Sequence, residues 1–289
     1  MPATFTPIRY PGGKTKLYPV VKQIISLNGF SECTYAEAFA GGAGLAIKLL
    51  LKNDVPSIII NDLDRAVYCM WDAIIYNSHE LCKFIEKIDV SIDNWLQCRA
   101  IYQNQNDYDD FKLGCAAFFL NRTNVSGILD GGVIGGIEQH GKYKINARFS
   151  KKGLIAKIEN IAQRQNDITL CMLDAEDFIR QILAERETDV FAYFDPPYIQ
   201  KGPGLYRSSF DELKHRSLAK AIQKCACPWI ATYDDDSLVE EIYGDSVQGT
   251  FNIRYSAYRA STGKEKFIVS PSIKLPDSLQ AEQIGSFCC

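Results

Sequence analysis

The chain has 289 residues, of which 46% are hydrophobic, and its formal net charge is -3. These values are typical of a globular protein with one large core, with or without a smaller lobe. No apolar run approaches the roughly 20 residues that cross a bilayer, and no basic-then-apolar leader opens the sequence, so we expect a cytoplasmic protein without membrane segments. The ten cysteines match no metal-ligand spacing or disulfide framework, so we expect reduced thiols and no bound metal.

Five apolar, β-prone runs separated by helical stretches predict a mostly parallel α/β sheet. In chain order, the predicted strands cover residues 34–40, 56–62, 167–173, 189–195 and 228–234. Two later segments, "SVQGTFNIRYSAY" and "EKFIVS", alternate more between apolar and polar residues. They predict an antiparallel pair at the edge of the sheet.

The middle of the chain, residues 69–165, breaks this alternation and predicts an inserted, mainly helical lobe. It divides the α/β domain into residues 1–68 and 166–275, and residues 276–289 are expected to form a loose polar tail. Within the lobe, the stretch 141–164 carries one acid, Glu159, and seven basic side chains: Lys142, Lys144, Arg148, Lys151, Lys152, Lys157 and Arg164. Such a run fits either phosphate binding or a solvated helix face, and the sequence leaves both open.

The first predicted strand runs into "EAFAGGAG", where Glu37 precedes Gly41, Gly42 and Gly44. Glycines between a strand and a helix let the backbone approach a ligand, although a tight turn without a ligand has the same pattern. The next strand ends in Asp62, about 20 residues further on, where an acid can bind ribose hydroxyls or cap the following helix. Because open α/β sheets bind ligands at the carboxyl ends of their strands, the two features together predict a nucleoside-containing cofactor.

The fourth predicted strand ends in Asp195-Pro196-Pro197-Tyr198. Each proline fixes φ and lacks an N–H, so this strand end is expected to stay extended and stiff. Asp195 and the Pro196 carbonyl can then accept both protons of an exocyclic amine, which localises the lone pair of the nitrogen and makes it nucleophilic. The ring of Tyr198 offers a face on which a base can stack. We interpret the motif as a reaction centre where this amine attacks a sulfonium methyl held on the glycine turn.

Several segments resemble the DNA adenine-N6 methyltransferases of the Dam type, also called the D12 class. They are "RYPGGK" (9–14), "EAFAGGAG" (37–44), "NDLD" (61–64), "FFLNRT" (118–123), "DAEDF" (174–178), "YFDPPY" (193–198), and "GLYRSSF" with His215 after it. The resemblance covers roughly residues 9–270, and the order of glycine turn, insert and DPPY looks like the α arrangement of the family.

The resemblance implies a class I S-adenosylmethionine-dependent methyltransferase fold, with a Rossmann-like, mostly parallel seven-stranded sheet and an inserted DNA-recognition lobe. The implied reaction is methyl transfer to N6 of an adenine flipped out of a specific sequence in duplex DNA. The implied catalytic residues, which hold the target adenine, are Asp195, Pro196 and Tyr198. No metal and no histidine base is needed for this transfer.

The resemblance also implies a set of cofactor contacts: Tyr10, Lys14, Glu37, Phe39, Gly41, Gly44, Asp62, Asp177, Phe178 and Asp195. Asp62 would hold the ribose, and Asp177 with Phe178 would bind and flank the adenine of the cofactor. Taken by themselves, Asp177 and Phe178 also fit a helix cap and a core aromatic residue, and "YPGGK" also fits a plain turn.

The DNA contacts predicted from the resemblance and the basic patch are Asn121, Arg122, Asn124, Lys142, Lys144 and Arg148, with Tyr143 and Asn146 as further candidates for base contacts. Asn121 and Arg122 equally fit the cap of the preceding helix. The segments "NRTNVSG" and "KYKINARFS" depart from the text of the best-known members, so the resemblance assigns no recognition sequence.

Other interpretations use the same features. A methyltransferase acting on cytosine N4, RNA adenine or a protein amide would use the same acceptors, although those relatives often carry Ser or Asn in place of Asp195. A dinucleotide oxidoreductase would share the glycine turn, but the GxGxxG spacing is absent. A DNA-binding regulator without activity would keep the fold, and the intact motif argues against it. We expect duplex DNA as partner and a monomer; whether a restriction endonuclease accompanies the enzyme stays open.

Overall fold

The computed structural model of the protein describes residues 4–184, 186–199, 210–255 and 261–276. Their centre is a seven-stranded sheet with the strand order β3-β2-β1-β4-β5-β7-β6. The strands are β1 (Thr34–Glu37), β2 (Ile58–Asn61), β3 (Ile168–Cys171), β4 (Val190–Phe194), β5 (Trp229–Asp234), β6 (Val247–Tyr255) and β7 (Ser261–Val269). The five strands predicted for the parallel part and the late antiparallel pair are therefore confirmed.

The helices of the described residues pack on both faces of this sheet. They are α1 (Tyr18–Asn28), α2 (Gly44–Leu51), α3 (Arg65–Ile75), α4 (Ser78–Lys87), α5 (Ile92–Gln103), α6 (Asp110–Thr123), α7 (Lys151–Ala162), α8 (Ala175–Phe178), α9 (Glu212–Gln223) and α10 (Ser237–Tyr243). A 3₁₀ turn, Lys14–Leu17, precedes α1, and a π-helical turn, Ile179–Leu183, continues α8. None of these helices has the length and apolar character required to traverse a lipid bilayer.

Acidic side chains fix where several helices begin. Asp64 accepts hydrogen bonds from Ala66 N and Val67 N at the start of α3, and Asp211 caps α9 through Lys214 N. Such a cap satisfies a backbone donor that the helix itself cannot, and it is worth about 1 kcal/mol. Because α3 and α9 start close to the carboxyl ends of the strands, these caps also shape the rim of the cleft described below.

The direction of strand order reverses between β1 and β4. β1 to β5 pair in parallel, and Glu37 of β1 lies opposite Tyr193 of β4. β7 runs antiparallel to both β5 and β6. A crevice opens at such a reversal because the connections on either side lead away to opposite faces of the sheet. The topology thus predicts a ligand site at the carboxyl ends of β1 and β4.

The inserted segment does not form a core of its own. Buried side chains of α3 to α7 belong to one cluster with Tyr35, Ile58 and Phe191, which come from one face of the sheet. A second cluster joins the opposite face to α8, α9 and α10. α3 runs across residues 68 and 69, so the packing has no break at that boundary. The division into residues 1–68, 69–165 and 166–275 stays a prediction about function.

Some predicted features lie outside the described residues. These are the residues after DPPY that include most of "GLYRSSF" (200–209), the end of the first late segment (256–260) and almost the whole expected tail (277–289). The eight cysteines of the described residues are free thiols.

Candidate active site

A cleft of about 550 Å³ opens at the carboxyl ends of β1, β2 and β4. The glycine turn forms one wall, and Asp62, Asp174 and Asp195 reach the cleft from the ends of three different strands. The start of the segment after α6, including Gly127 and Gly131, forms the opposite wall. The two features that the sequence analysis treats as separate motifs, the glycine turn and DPPY, therefore share one cavity.

The glycine turn is packed against the N-terminal segment of the chain. Gly41 has a φ of +46°, and a Cβ there would lie 2.6 Å from the ring of Tyr10. A Cβ on Gly44 would lie 2.3 Å from Thr15 Oγ1. The side chain of Trp71 also donates to Gly41 O at 2.8 Å. These glycines are required by close packing within the protein itself, whether or not a ligand is bound.

Asp62 is tied to the glycine turn through its carboxylate. Oδ2 accepts a hydrogen bond from Gly41 N at 2.9 Å, and Oδ1 accepts one from Asp64 N at 3.0 Å. Burial raises the pKa of Asp62 to about 6, and these two backbone donors limit the increase. The carboxylate is thus held at the rim of the cleft with lone pairs left for a ligand.

Asn61, the last residue of β2, fastens two walls of the cleft together. Its Nδ2 donates to Ala38 O at 2.9 Å and to Leu173 O at 3.0 Å, and its Oδ1 accepts from Leu173 N at 2.9 Å. The side chain is 1% exposed. The loops that follow β1 and β3 are therefore joined through one buried amide, which the sequence analysis did not single out.

Glu37 ends β1 deep in the cleft. It is 5% exposed, and its Oε1 accepts a hydrogen bond from Ala46 N at 3.0 Å, in the first turn of α2. Burial raises the pKa of Glu37 to about 8, and the negative charge of Asp195 adds to that increase. Glu37 therefore carries a proton at neutral pH in this structure.

Asp195 is bonded to polar side chains from two other parts of the chain. Its Oδ1 lies 2.8 Å from Lys14 Nζ and accepts a hydrogen bond from Thr232 Oγ1 at 3.0 Å. Burial raises the pKa of Asp195 to about 6, and the ammonium of Lys14 opposes the increase. At neutral pH the carboxylate is therefore mostly ionised and available as an acceptor.

The other DPPY residues lie beside Asp195. Pro197 lines the cleft, Pro196 is buried, and Tyr198 is only 6% exposed. The Tyr198 hydroxyl is 2.7 Å from Lys14 Nζ and hydrogen-bonded to Glu265. In this structure Tyr198 is thus anchored at its hydroxyl, and its role as a stacking surface stays a prediction.

The structure turns Asp177 and Phe178 away from the cleft. Asp177 is paired with Arg180 at 2.7 Å on the surface, and Phe178 is fully buried in the core beneath the sheet. Asp174 lines the cleft instead, because it lies three residues beyond the end of β3 and caps α8. Its place after a predicted strand is the signal that would have identified it.

Two apolar residues of the cleft were also missed by the sequence analysis. Leu63 is 51% exposed at the rim, next to Asp62. The ring of Phe210 lies 6.2 Å from that of Phe39, which the sequence analysis assigned to the cofactor, and both line the cleft. Large apolar side chains at the mouth of a polar cavity are suited to flat ring systems.

The side chains of Asn121 and Asn124 are buried and bonded within the protein, and Asn121 also lines the cleft. Asn121 is bonded to the backbone of Arg9 and Gly127, and Asn124 to Trp95 Nε1 and two backbone carbonyls. They are 1% and 0% exposed. A buried amide forms hydrogen bonds wherever it can, and here these bonds hold the N-terminal segment and the post-α6 loop in place. Their contact with DNA stays a prediction.

Arg122 belongs to a cluster of cations near the cleft. Its guanidinium donates to Arg148 O at 2.9 Å and to Pro7 O at 3.1 Å. Burial, together with the charges of Arg9 and Arg148, lowers the pKa of Arg122 to about 9. Among the described residues, no carboxylate forms an ion pair with Arg9, Arg122 or Arg148.

The remaining predicted DNA contacts lie on the surface. Lys142, Lys144 and Arg148 are exposed. Tyr143 is 59% exposed, with Lys142 Nζ 5.8 Å and Arg148 Cζ 6.0 Å from its ring centre. An exposed aromatic ring between two cations is the composition of a nucleic-acid contact surface. In the part of the chain that the structure describes, no cluster of three His, Cys, Asp or Glu residues is arranged to hold a metal ion.

Solved structures with an overall similarity include a conserved hypothetical protein from Streptococcus pyogenes (12% identity, TM-score 0.34, 83% of this chain and 88% of that chain covered). Others are the rRNA methyltransferase AviRa from Streptomyces viridochromogenes (11%, 0.38, 91% and 87%) and a putative methylase from Haemophilus influenzae (8%, 0.31, 85% and 95%). At these values the similarities bear neither on the fold nor on the chemistry.

A family model gives the decisive comparison. The model of the D12 class N6 adenine-specific DNA methyltransferases matches residues 10–261, which include the glycine turn, the inserted segment, DPPY and most of the sheet. The match spans Lys14, Glu37, Asp62 and Asp195, the side chains that meet in or beside the cleft. The chain therefore belongs to the D12 class of adenine-specific DNA methyltransferases, and it transfers a methyl group to adenine in DNA.

Proposed function

We propose that the cleft binds S-adenosylmethionine beside the glycine turn and a flipped-out adenine beside Asp195, within a specific sequence of duplex DNA. The observation that carries this proposal is that Asp195 and residues 41–44 line one cleft where the strand order reverses. When bound, S-adenosylmethionine supplies an electrophilic methyl group on a positively charged sulfur.

The charge of the cleft fits such a cofactor. The acidic residues that line it are Glu37, Asp62, Asp64, Asp130, Asp174 and Asp195, whereas its basic residues are Lys14 and Arg65. An excess of carboxyl groups favours a ligand with a sulfonium and an ammonium group. Glu37 holds its proton in the absence of a ligand, and a cationic group bound beside it would lower its pKa and favour the ionised form that pairs with the cationic end of the ligand.

The nucleoside end of the cofactor fits the rim near β2. Asp62 keeps lone pairs for ribose hydroxyls while both of its oxygens accept backbone N–H groups. Leu63 and Phe39 provide apolar surface for the adenine, and Asp174 provides an acceptor for its amino group. We therefore propose Asp174, rather than Asp177, as the acid that contacts the adenine of the cofactor.

Asp195 is proposed to hold the target amine. Oδ1 is bound by Lys14 and Thr232, which fix the orientation of the carboxylate and leave Oδ2 to accept an N6 proton. The rigid prolines keep the Pro196 carbonyl close by as a second acceptor. After transfer, the positively charged N6 loses a proton, and Asp195, whose pKa is about 6, is suited to accept it.

The target adenine has to leave the helix to reach Asp195. In a duplex, N6 lies in the base stack and forms a base-pair hydrogen bond, and a carboxylate at the end of a buried strand cannot approach it there. Flipping the base costs a few kcal/mol, which stacking and edge hydrogen bonds in the pocket offset.

We propose that DNA lies along the basic surface formed by Arg9, Arg122, Lys142, Lys144 and Arg148. Arg9 donates to Asn124 O in the segment after α6, and Arg122 donates to Pro7 O in the N-terminal segment, so both lie beside the wall of the cleft. A phosphate held there would be close to a flipped base. Phosphate contacts of this kind position the duplex without reading its sequence.

Two further proposals concern the state of the enzyme. The first is that the enzyme acts as a monomer. A cytoplasmic location is supported by the eight free thiols, because disulfides form mainly in oxidising compartments.

The test is incubation with methyl-labelled S-adenosylmethionine and varied plasmid DNA, followed by nucleoside analysis and mapping of the modified positions. We expect label in N6-methyladenine at one short sequence. Asp195→Ala should lose methylation and largely keep cofactor binding, measured by calorimetry. Wild-type turnover in that variant would remove Asp195 from the mechanism, and label in cytosine or only in RNA would overturn the proposed substrate.

A further inference from the structure

Glu265 is a fully buried carboxylate on β7 that touches two residues of the reaction centre. Its Oε2 lies 3.3 Å from Lys14 Nζ, and its Oε1 accepts a hydrogen bond from the Tyr198 hydroxyl. The antiparallel pairing of β7 with β5 sets Glu265 opposite Asp234 and next to the segment that follows β4. No sequence motif in the chain singles out this residue.

Lys14 is shared between two carboxylates. Its Nζ lies 2.8 Å from Asp195 Oδ1 and 3.3 Å from Glu265 Oε2, and its side chain is 4% exposed. The distance of this ammonium from each acid determines how strongly it stabilises the ionised form of that acid. The Tyr198 hydroxyl, 2.7 Å from the same ammonium, completes the cluster.

We propose that Glu265 is a positioning residue for methyl transfer: it holds Lys14 and Tyr198 and limits how tightly Lys14 binds Asp195. The inference rests on the proposed role of Asp195 as acceptor of the amine protons. A carboxylate bound too tightly to an ammonium is a weak acceptor, whereas one without any cation takes up a proton and cannot accept at all. Glu265 keeps Asp195 between these two limits.

The charges around Asp195 agree with a Lys14 ammonium that lies between Asp195 and Glu265. Burial raises the pKa of Asp195 to about 6, Lys14 lowers it, and Glu265 raises it. Among the described residues, the other titratable groups that interact with Asp195 are Glu37, Tyr35, Tyr193 and Tyr233. Since these stay unchanged in the variants below, loss of the Glu265 charge should lower the pKa of Asp195, and loss of the Lys14 charge should raise it.

The experiment follows the ¹³C carboxyl resonance of Asp195 through a pH titration of aspartate-labelled protein, assigned by its disappearance in Asp195→Asn. The midpoint should move to lower pH in Glu265→Gln and to higher pH in Lys14→Met, each by about 0.5–1 unit. Single-turnover methylation of adenine-unmethylated genomic DNA, measured between pH 5 and 9, should shift its acid limb in the same directions wherever a variant is active.

Glu240→Gln is the matched control, because it removes the same charge from an exposed residue of α10. Glu240 is bonded to Lys266, which follows Glu265 on β7. The midpoint in Glu240→Gln should equal that of the wild type. An unmoved or raised midpoint in Glu265→Gln would overturn the inference. If that variant does not fold, judged by circular dichroism, Lys14→Met decides alone, and an unmoved or lowered midpoint counts against the inference.

Failure of the proposed function has a different signature. Asp195→Asn would then methylate DNA at the wild-type rate at pH 8, whatever the titration midpoints of the other variants. Opposite shifts together with an inactive Asp195→Asn support both proposals. An inactive Asp195→Asn without opposite shifts keeps the role of Asp195 and removes that of Glu265.

Discussion

The ammonium of Lys14 lies 2.8 Å from Oδ1 of Asp195, although 181 positions separate the two residues along the chain. Lys14 belongs to the 3₁₀ turn before α1, and Asp195 follows β4 directly. The segment "YPGGK" is therefore not an isolated turn, because its lysine is buried against the acid of DPPY. Its tyrosine, Tyr10, packs on the glycine turn. One short segment therefore contacts both the glycine turn and DPPY.

Asp62→Asn should weaken binding of S-adenosylmethionine about tenfold, which corresponds to about 1.4 kcal/mol. The asparagine keeps one acceptor oxygen and places an amide group where the second oxygen accepts Gly41 N. Calorimetry on DNA-free enzyme measures the effect. Asp189→Asn, at the opposite end of the sheet, makes the same charge change and should leave the affinity unaltered. Equal affinities of all three proteins would remove Asp62 from the cofactor site.

Glu37→Gln should raise the free energy of unfolding at pH 8, and its effect at pH 5 should be smaller. The folded protein holds the Glu37 proton up to a pKa of about 8, whereas the ordinary value is 4.5. Between these values the unfolded chain releases a proton that the folded protein keeps, so wild-type stability falls as pH rises through this window. Glutamine removes that loss.

Urea unfolding at pH 5 and pH 8 measures the free energy of unfolding of both proteins. The value for Glu37→Gln minus the value for the wild type should be on the order of 1–3 kcal/mol larger at pH 8 than at pH 5. Asp62 and Asp195 contribute in both proteins and therefore cancel in the comparison. Glu32→Gln, a change at an exposed neighbouring acid, should give a difference near zero at both pH values. A Glu37→Gln protein with the same pH dependence as the wild type would contradict the prediction.

Asn61→Ala should lower the free energy of unfolding by about 2–4 kcal/mol, because it leaves three buried backbone groups of Ala38 and Leu173 without their partner. The loosened walls should also weaken cofactor binding. Urea unfolding and calorimetry measure the two effects. Asn94→Ala removes one exposed hydrogen bond to Asp89 O and should cost less than about 0.5 kcal/mol. Equal stabilities of the two variants would show that the hydrogen bonds of Asn61 do not stabilise the fold.

Replacing Lys142, Lys144 and Arg148 together by alanine should reduce the salt dependence of DNA binding. Each phosphate contact contributes roughly 0.9 to the slope of log K against log salt, so a loss of about 2.7 is expected if all three bind phosphate. Fluorescence anisotropy with a labelled duplex at several salt concentrations gives the slope. Lys274→Ala, near the C-terminal end of α1, serves as the control. An unchanged slope in the triple variant would place the DNA elsewhere.

The residues that were predicted well are those at strand ends. Asp62 and Asp195 each follow a short apolar strand, and parallel strands deliver their carboxyl ends to the same edge of a sheet. The pairing order then places the ends of β1 and β4 side by side. Local pattern and topology together therefore suffice to gather Glu37, Asp62 and Asp195 into one cleft.

The direction and partners of other side chains depend on distant parts of the chain. The sequence predicts that Asn121 contacts DNA or caps the end of α6, and the structure bonds its side chain to the backbone of Arg9, 112 positions away. Asp177 is a surface residue paired with Arg180, whereas Asp174, three residues earlier and near the end of β3, lines the cleft.

By itself, the amino-acid sequence determined the α/β sheet, the glycine turn, the acids at the ends of the strands and the resemblance to adenine methyltransferases. All of these follow from patterns within a few consecutive residues. Tertiary structure alone decided that Lys14 lies between Asp195 and Glu265, and that Asn61 joins two loops. Those contacts depend on the pairing of strands far apart in the chain, and hydrogen bonds and ion pairs require separations near 3 Å that no local pattern specifies.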